Sequence, residues 1–177
     1  MDLPKRSGME AAVAEAGEFH AFYAAVFGRL VGQLYLVTGD VHEAEDVVQE
    51  ALTRASVRWS RIAGYDQPEA WVRRVAMNLA ATRARSLQRR ARALLRMGPP
   101  PHEAAASVDA VALAAALRQL PLRHRQAVVL HYLVGMSVEE TGLTLGATGG
   151  TVKGWLARAR RALASQLDEG EVRVRHG

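Results

Sequence analysis

The 177-residue sequence contains no cysteine, which excludes disulfide bonds, thiolate metal sites and cysteine nucleophiles. Its six histidines are scattered, without an H-E-x-x-H zinc motif, and no glycine-rich loop could cradle phosphates. The apolar runs are too short to span a bilayer, and acidic residues interrupt the first twenty positions, where a secretion signal needs an apolar core. These absences predict a cytoplasmic protein that is not an enzyme, has no catalytic residue, metal or cofactor, and does not insert into a membrane.

Strand-like alternation is also nearly absent, whereas apolar residues recur at helical spacing along most of the chain. Gly98 and the three prolines after it cannot continue a helix and favour extended structure. The sequence therefore predicts an all-α fold of two small helical domains joined by a flexible proline-containing linker. The predicted segments are a mobile N-terminus (1–17), a first domain (18–96), the linker (97–108), a second domain (109–168) and a tail (169–177).

The formal net charge of +5 is unevenly distributed. Residues 58–96 hold ten arginines against two acids, Asp66 and Glu69. This asymmetry favours a polyanionic partner. An anionic membrane surface is the alternative, and it is disfavoured because the cations accompany an apolar helical stripe and no lipid anchor.

Residues 120–167 have the layout of a DNA-reading helix-turn-helix. Ser137 and Glu140 form a capping box, Gly146 ends the short helix that follows, and Thr148 caps a long last helix. On that last helix one apolar stripe is predicted to be buried, and it consists of Val152, Leu156, Ala159 and Leu163. Small residues and cations occupy the other side, which suits close approach to base edges and phosphates. The alternative is an ordinary helical hairpin with a solvated basic face.

Several stretches resemble one protein family. Residues 44–52, A-E-D-V-V-Q-E-A-L, resemble the second-region helix of bacterial sigma factors, and residues 71–80, W-V-R-R-V-A-M-N-L-A, resemble the helix that follows it. Leu120-Pro121 with Arg125, then S-V-E-E at 137–140 and G-T-V-K at 150–153, resemble the family's duplex-binding region. Their order and spacing match over about residues 18–167. A chain with only these two modules is similar to the extracytoplasmic-function (ECF) group.

The resemblance implies that the chain binds the core of bacterial RNA polymerase and directs it to promoters through their −35 and −10 elements. The first domain would contact the clamp helices of the largest subunit and the melted −10 element. The second domain would contact the flap of the second largest subunit and read the −35 element as duplex. Many relatives are held by an anti-sigma factor, a partner that the sequence neither indicates nor excludes.

The resemblance also assigns residues to three surfaces. The expected core polymerase contacts are Glu45, Asp46, Gln49, Glu50 and Thr53. The expected −10 contacts are Tyr65, Arg73, Arg74, Asn78, Arg83 and Arg85. The expected −35 contacts are Thr151, Lys153, Gly154, Ala157, Arg158 and Arg161.

The chemistry of these residues fits the assignment, with alternatives. An acidic, hydrogen-bonding helix face suits a protein partner, although it can equally be a solvated face. Asn78 can pair with an unstacked base, or it can make a buried hydrogen bond between helices. Tyr65 can stack on an extruded base, or it can anchor its loop to the domain surface.

The chain departs from the family pattern in its second half. Thr141-Gly142 replaces the usual I-A, which predicts a weaker first helix in the motif. Gly154-Trp155 replaces S-R, which removes one cation, and we expect Trp155 to pack against the core. Two other classes remain open: a conventional helix-turn-helix regulator with an effector domain, and an adaptor that binds polymerase without reading DNA.

Overall fold

The computed structural model describes residues 6–93 and 108–175, with side-chain surroundings for residues 10, 12–89 and 109–165. These residues form α-helices, one π-helical turn and the connections between them, and no strand occurs in the described ranges. The all-α prediction is confirmed. The elements are α1 (Arg6–Thr38), α2 (Val41–Ser56), α3 (Trp59–Ile62), α4 (Pro68–Ala93), α5 (Val108–Arg118), α6 (Leu122–Val128), the π turn (Val129–Leu133), α7 (Val138–Leu145) and α8 (Gly149–Arg175). The predicted linker lies mostly outside the described residues.

Helix α1 differs from its prediction in two ways. It begins at Arg6 rather than at Glu18, so part of the segment expected to be mobile is helical. Its portion Ala12–Thr38 is also long and apolar enough, by length and composition alone, to cross a membrane, contrary to the sequence expectation. However, Leu30 and Leu34 are completely buried within the protein core. These two residues belong to the hydrophobic core, although only 28% of the apolar window is buried.

The D-x-x-E spacing of Asp40 and Glu43 is typical of a capping box, but only half of that box forms, since the Asp40 backbone N–H donates to the Thr38 hydroxyl and not to Glu43. The Asp40 carboxylate accepts a hydrogen bond of 3.0 Å from the Glu43 backbone N–H. The Glu43 side chain is directed instead towards Arg83 of α4, with 3.5 Å between the charged atoms. The apolar side of α2 packs on α1 and α4, and its completely buried residues include Val47 and Val48.

An aromatic cluster fixes the short helix α3 and the loop that carries Tyr65. The Trp59 ring lies 5.3 Å from the Phe19 ring and 4.8 Å from the Phe22 ring, measured between centroids. Such tilted pairs are favourable beyond the area that they bury. Because Phe19 and Phe22 lie on α1, the loop before α4 is held against the first helix.

The helix-turn-helix forms as predicted. Ser137 and Glu140 make both bonds of the capping box, at 3.1 and 2.7 Å. Gly146 ends α7 with a φ of +66°, a left-handed conformation that favours glycine. On α8, Val152 and Ala159 are completely buried and Leu156 is nearly so, while Leu163 is half-buried. The predicted buried stripe is therefore confirmed.

The two halves of the chain share one hydrophobic core. Buried residues of α5, α6, the π turn and α8 form a single cluster with buried residues of α1, α2 and α4. Helices α5 and α6 and the π turn pack on α1, and α7 packs on α4. The sequence predicted two domains joined by a linker and gave no indication of this direct packing.

Gly142 provides a close approach within the helix-turn-helix. It is buried, and a Cβ atom built on it would lie 2.6 Å from the backbone oxygen of Ala147 in the turn. The backbone N–H of Ala147 in turn donates to the Gly142 carbonyl oxygen at 2.9 Å. A residue expected to weaken α7 is therefore the one that lets the turn close.

We expect Gly142→Ala to lower the free energy of unfolding by about 1 kcal/mol or more, although alanine is the better helix former by about 1 kcal/mol. The loss of stability arises because the added Cβ atom would force the Ala147 backbone to shift. The control is Gly32→Ala, at an exposed position of α1 with open space around it, which should raise stability by about 0.5–1 kcal/mol. Urea denaturation of both variants measures the difference, and equal stabilisation by both would contradict the close contact.

Candidate protein and nucleic-acid interfaces

The predicted protein-binding face of α2 is only partly free. Glu45 and Asp46 are exposed, as are Gln49 and Thr53. Gln49 accepts a hydrogen bond of 2.8 Å from the Tyr23 hydroxyl of α1. The Thr53 hydroxyl donates to the backbone of its own helix. Glu45 and Asp46 therefore supply the accessible negative charge of this face.

Glu50 is engaged within the protein. Its carboxylate binds Arg54 on the same helix, and a second oxygen lies 2.8 Å from the guanidinium of Arg83 on α4. The hydrogen bond from Arg83 is the largest influence on the Glu50 carboxyl, and with the one from Arg54 it lowers the pKa despite opposing desolvation. Two residues assigned from sequence to different partners, Glu50 and Arg83, thus hold α2 and α4 together.

Arg73 is similarly engaged at the other end of α4. Its guanidinium pairs with Glu69 and donates to the Gln33 side chain of α1 at 3.0 Å, and only 11% of its side chain is exposed. Glu69 also binds Arg29 of α1. Burial raises the pKa of Glu69, but Arg29 and Arg73 together outweigh burial and hold that pKa below its usual value. This network joins α1 to α4.

The remaining assigned residues of α4 are exposed. Arg74, Asn78 and Arg85 lie on the outside of the helix, and Tyr65 in the preceding loop is 38% exposed. The exposure of Asn78 rules out the alternative of a buried hydrogen bond between helices. Trp71 and Arg74 also line a cleft of about 250 Å³ between α4 and α7. The exposed side of α4 therefore carries the arginines Arg74 and Arg85 on either side of the Asn78 amide.

The assigned face of α8 is accessible along its length. Thr151, Lys153, Arg158 and Arg161 are exposed, and Gly154 and Ala157 are half-buried. Small residues between cations match the predicted nucleic-acid surface. A Cβ atom at Gly154 would lie 3.4 Å from the Arg158 guanidinium, so this arginine folds over the glycine.

Trp155 packs beside the reading face rather than on it. It is half-buried against the core, as expected, and its ring centroid lies 6.5 Å from that of His124 on α6. Desolvation, followed by the charge of Arg158, lowers the pKa of His124. A neutral imidazole adds no charge to this part of the surface. Among the residues that the structure describes, no cluster of His, Asp and Glu could hold a metal ion.

Two residues with important contacts had no assigned role in the sequence interpretation. Arg125 donates to the backbone oxygens of Val37 near the end of α1, of Arg118 at the end of α5 and of Leu120 just after α5. Gln126 is completely buried, and its amide donates to the Met77 backbone oxygen of α4 at 2.7 Å. The sequence signals were the place of Arg125 in the family motif that begins at Leu120, and a polar pair directly before a strongly apolar run.

The chain matches two family models, Sigma-70 region 2 over residues 22–90 and Sigma-70 region 4 over residues 110–163. It is 38% identical over 169 residues to the ECF RNA polymerase sigma factor SigL of Mycobacterium tuberculosis, covering 90% of this chain and 94% of SigL.

Two solved structures extend the likeness. CnrH in complex with the cytosolic domain of CnrY is similar at 28% identity and a TM-score of 0.61, covering 90% of this chain and 95% of CnrH. RpoE of Bartonella quintana, solved with the anti-sigma factor NepR, shares the fold at 24% identity and a TM-score of 0.68, covering 85% and 97% of the two chains.

The Glu69 network predicts a pH dependence of stability. A carboxyl whose folded pKa is depressed stabilises the protein fully above its unfolded pKa of about 4.3, and this contribution is lost as pH falls through the lower folded value. Glu69→Gln should therefore cost about 1 kcal/mol at pH 7 and progressively less below pH ~4, as the wild-type carboxyl becomes protonated. Thermal melts from pH 7 to 3 measure this, with the exposed Glu15→Gln as control. A gap from wild type that stays constant over this range would contradict the prediction.

Proposed function

The chain belongs to the extracytoplasmic-function group of bacterial RNA polymerase sigma factors, and we propose that it divides this function among three exposed surfaces on α2, α4 and α8. As a sigma factor it binds core RNA polymerase and promoter DNA and directs transcription initiation. We propose that it acts in the cytoplasm and itself makes or breaks no covalent bond.

The observation that carries the proposal is the distribution of accessible charge. Exposed negative charge on α2 is contributed by Glu45 and Asp46, while the outside of α4 and the face of α8 expose arginines and one lysine. An acidic helix face suits a basic protein surface, and the two basic faces suit DNA. A conventional regulator would need the basic face of α8 but not the other two surfaces together.

The α2 surface is proposed to contact the clamp helices of the largest polymerase subunit. Glu45, Asp46, Gln49 and Thr53 are available for this contact. Glu50 positions this surface but is not proposed to contact polymerase, because its carboxylate is already paired with Arg54 and Arg83. Reversing the charge of Glu50 would therefore also separate α2 from α4.

The α4 surface is proposed to bind the melted −10 element. Arg74 and Arg85 would hold the strand backbone, and Asn78 would pair with the edge of an unstacked base, which duplex DNA hides. Tyr65 is exposed enough to stack on an extruded base. Arg73 and Arg83, which are committed to ion pairs, would position α4 rather than touch DNA.

The α8 surface is proposed to read the −35 element in the major groove while its domain contacts the flap of the second largest subunit. Lys153 and Arg158 flank the small residues Gly154 and Ala157, which permit close approach. The solved structure of CnrH contains the cytosolic domain of CnrY, and a protein partner of that kind is a further candidate for this chain.

The polymerase contact predicts a loss of binding on charge reversal. Glu45→Arg with Asp46→Arg should abolish co-purification with core polymerase, because both carboxylates are exposed and would become repulsive towards a basic partner. The matched control is Glu10→Arg with Glu15→Arg, two exposed residues of α1 that undergo the same change in charge. Circular dichroism checks that both variants fold. Normal co-purification of the α2 variant would refute this surface.

The promoter contact predicts sequence-dependent losses on α8. Lys153→Ala and Arg158→Ala should each weaken −35-dependent initiation by about 1–3 kcal/mol if they make specific contacts. A template with a scrambled −35 element should respond little to either change. Arg160→Ala, at an exposed position outside the assigned set, is the control. Equal losses on both templates would mean that these residues supply only general positive charge, and in vitro transcription distinguishes the outcomes.

A further inference from the structure

The guanidinium of Arg158 lies back along α8 over Gly154, one helical turn closer to the N-terminus. A Cβ atom built on Gly154 would lie 3.4 Å from Nη2 of Arg158 and 3.9 Å from its Cζ. Long side chains on a helix generally lean over the preceding turn, so residues four apart share the same space. Arg158 therefore occupies the volume that a side chain longer than a methyl group at position 154 would enter.

His124 of α6 lies near this guanidinium, and Trp155 of α8 lies near His124. The ring centroids of His124 and Trp155 are 6.5 Å apart. After desolvation, the charge of Arg158 is the second cause that lowers the pKa of His124, which places the two groups close together. Because the pKa lies below the ordinary value, the imidazole is mostly neutral at pH 7 and does not repel the arginine.

The placement of Arg158 does not depend on an acidic partner. Within residues 12–89 and 109–165, the ion pairs of the structure involve other cations. Arg158 is also exposed, so its N–H donors are available to a ligand. What holds its side chain along α8 is therefore the shape of the helix surface at Gly154.

Two departures from the family pattern shape this surface. The pattern has serine and arginine where this chain has Gly154 and Trp155. A serine would extend a hydroxyl beyond the Cβ atom. An arginine three residues before Arg158 would add a like charge on the same side of the helix, which is unfavourable. In this chain a single guanidinium has the space over residue 154 to itself.

The conformation moves the charge of Arg158 towards the part of the helix that reads bases. The N-terminal residues of a recognition helix contact base edges in the major groove. Arg158 follows Gly154 by four residues, or about 6 Å of helix. Its guanidinium returns over that distance to the turn in which Thr151 and Lys153 are exposed. At a base edge a planar guanidinium favours guanine, because it can bind both acceptors of that base.

We propose that Gly154 is a positioning residue, whose missing side chain lets Arg158 lie over it and thereby sets the base that Arg158 reads in the −35 element. The inference rests on the proposed function of α8, whereas the placement of Arg158 is a property of the free chain. A small residue at position 154 also permits close approach to DNA, but that effect would not depend on Arg158. Coupling between the two residues therefore identifies the positioning role.

Gly154→Leu and Gly154→Ala form a matched pair of variants. The leucine side chain fills the space over residue 154 and should displace the guanidinium. The alanine methyl group fits, because its distance of 3.4 Å from Arg158 is an ordinary van der Waals contact. Both replacements are better helix formers than glycine, so helix stability cannot explain opposite results. Circular dichroism checks that both variants fold.

The placement of Arg158 can be measured by NMR in the free full-length chain. Nuclear Overhauser effects should connect the Arg158 side-chain protons to the α protons of residue 154 in the wild type and in Gly154→Ala. They should be lost in Gly154→Leu. Absence of these signals in the wild type would overturn the placement, and this result would not involve polymerase or DNA.

The consequence for promoter reading can be measured with reconstituted polymerase holoenzyme and templates randomised in the −35 element. The wild type and Gly154→Ala should share a preference for guanine at one base pair, and Gly154→Leu should weaken that preference about tenfold. Arg158→Ala should weaken the same preference. Adding Gly154→Leu to Arg158→Ala should cause no further change at that base pair.

Two results would overturn the positioning role of Gly154. One is an equal base preference in Gly154→Ala and Gly154→Leu. The other is a loss caused by Gly154→Leu that persists in full when Arg158 is already alanine, which would indicate blocked access to DNA. Unaltered preference in Arg158→Ala alone would overturn the DNA contact proposed for Arg158 together with the positioning role, while the NMR result would stand.

Discussion

The carbonyl oxygens at the C-termini of α1 and α5 have no helical partners, and one guanidinium supplies donors to both. Arg125 donates to the backbone oxygens of Val37 near the end of α1, of Arg118 at the end of α5 and of Leu120 just after it. Burial and the charge of Arg118 lower its pKa, yet an arginine stays charged in a protein and needs these acceptors. The position of α6 on α1 follows from this requirement, and it brings the adjacent Gln126 to α4.

A second constraint concerns how charges are used. Each helix must bury one stripe, and the charged residues beside that stripe can pair with the next helix instead of remaining free. Glu50 and Arg83 do this between α2 and α4, and Glu69 and Arg73 take part in the network between α4 and α1. Fewer charged residues are consequently accessible than the sequence contains. The accessible ones define the surfaces available to polymerase and DNA.

Helix ends and buried stripes could be predicted from the sequence, whereas ion pairs and hydrogen bonds between helices could not. Capping at Ser137, the left-handed glycine at Gly146 and the stripe on α8 depend only on neighbouring residues, and they occur as predicted. The engagement of Arg73 with Glu69 and Gln33 depends on how α1 lies against α4, which no local pattern specifies. The start of α1 at Arg6 was missed because the residues before Glu18 have no apolar stripe at helical spacing, and those from Ala12 to Gly17 are exposed.

The two regions of the chain are joined by both apolar and polar contacts. Within each region the helices meet through completely buried apolar residues, such as Val48 in α2 and Val152 in α8. Between the regions, the polar part of the contact is made of hydrogen bonds, and each of these contributes about 1 kcal/mol net because water can replace it. Because the two regions also share one hydrophobic cluster, these bonds fix the relative position of the regions and are not the main source of stability. Gln126, buried against a backbone carbonyl of α4, therefore specifies how α6 lies on that helix.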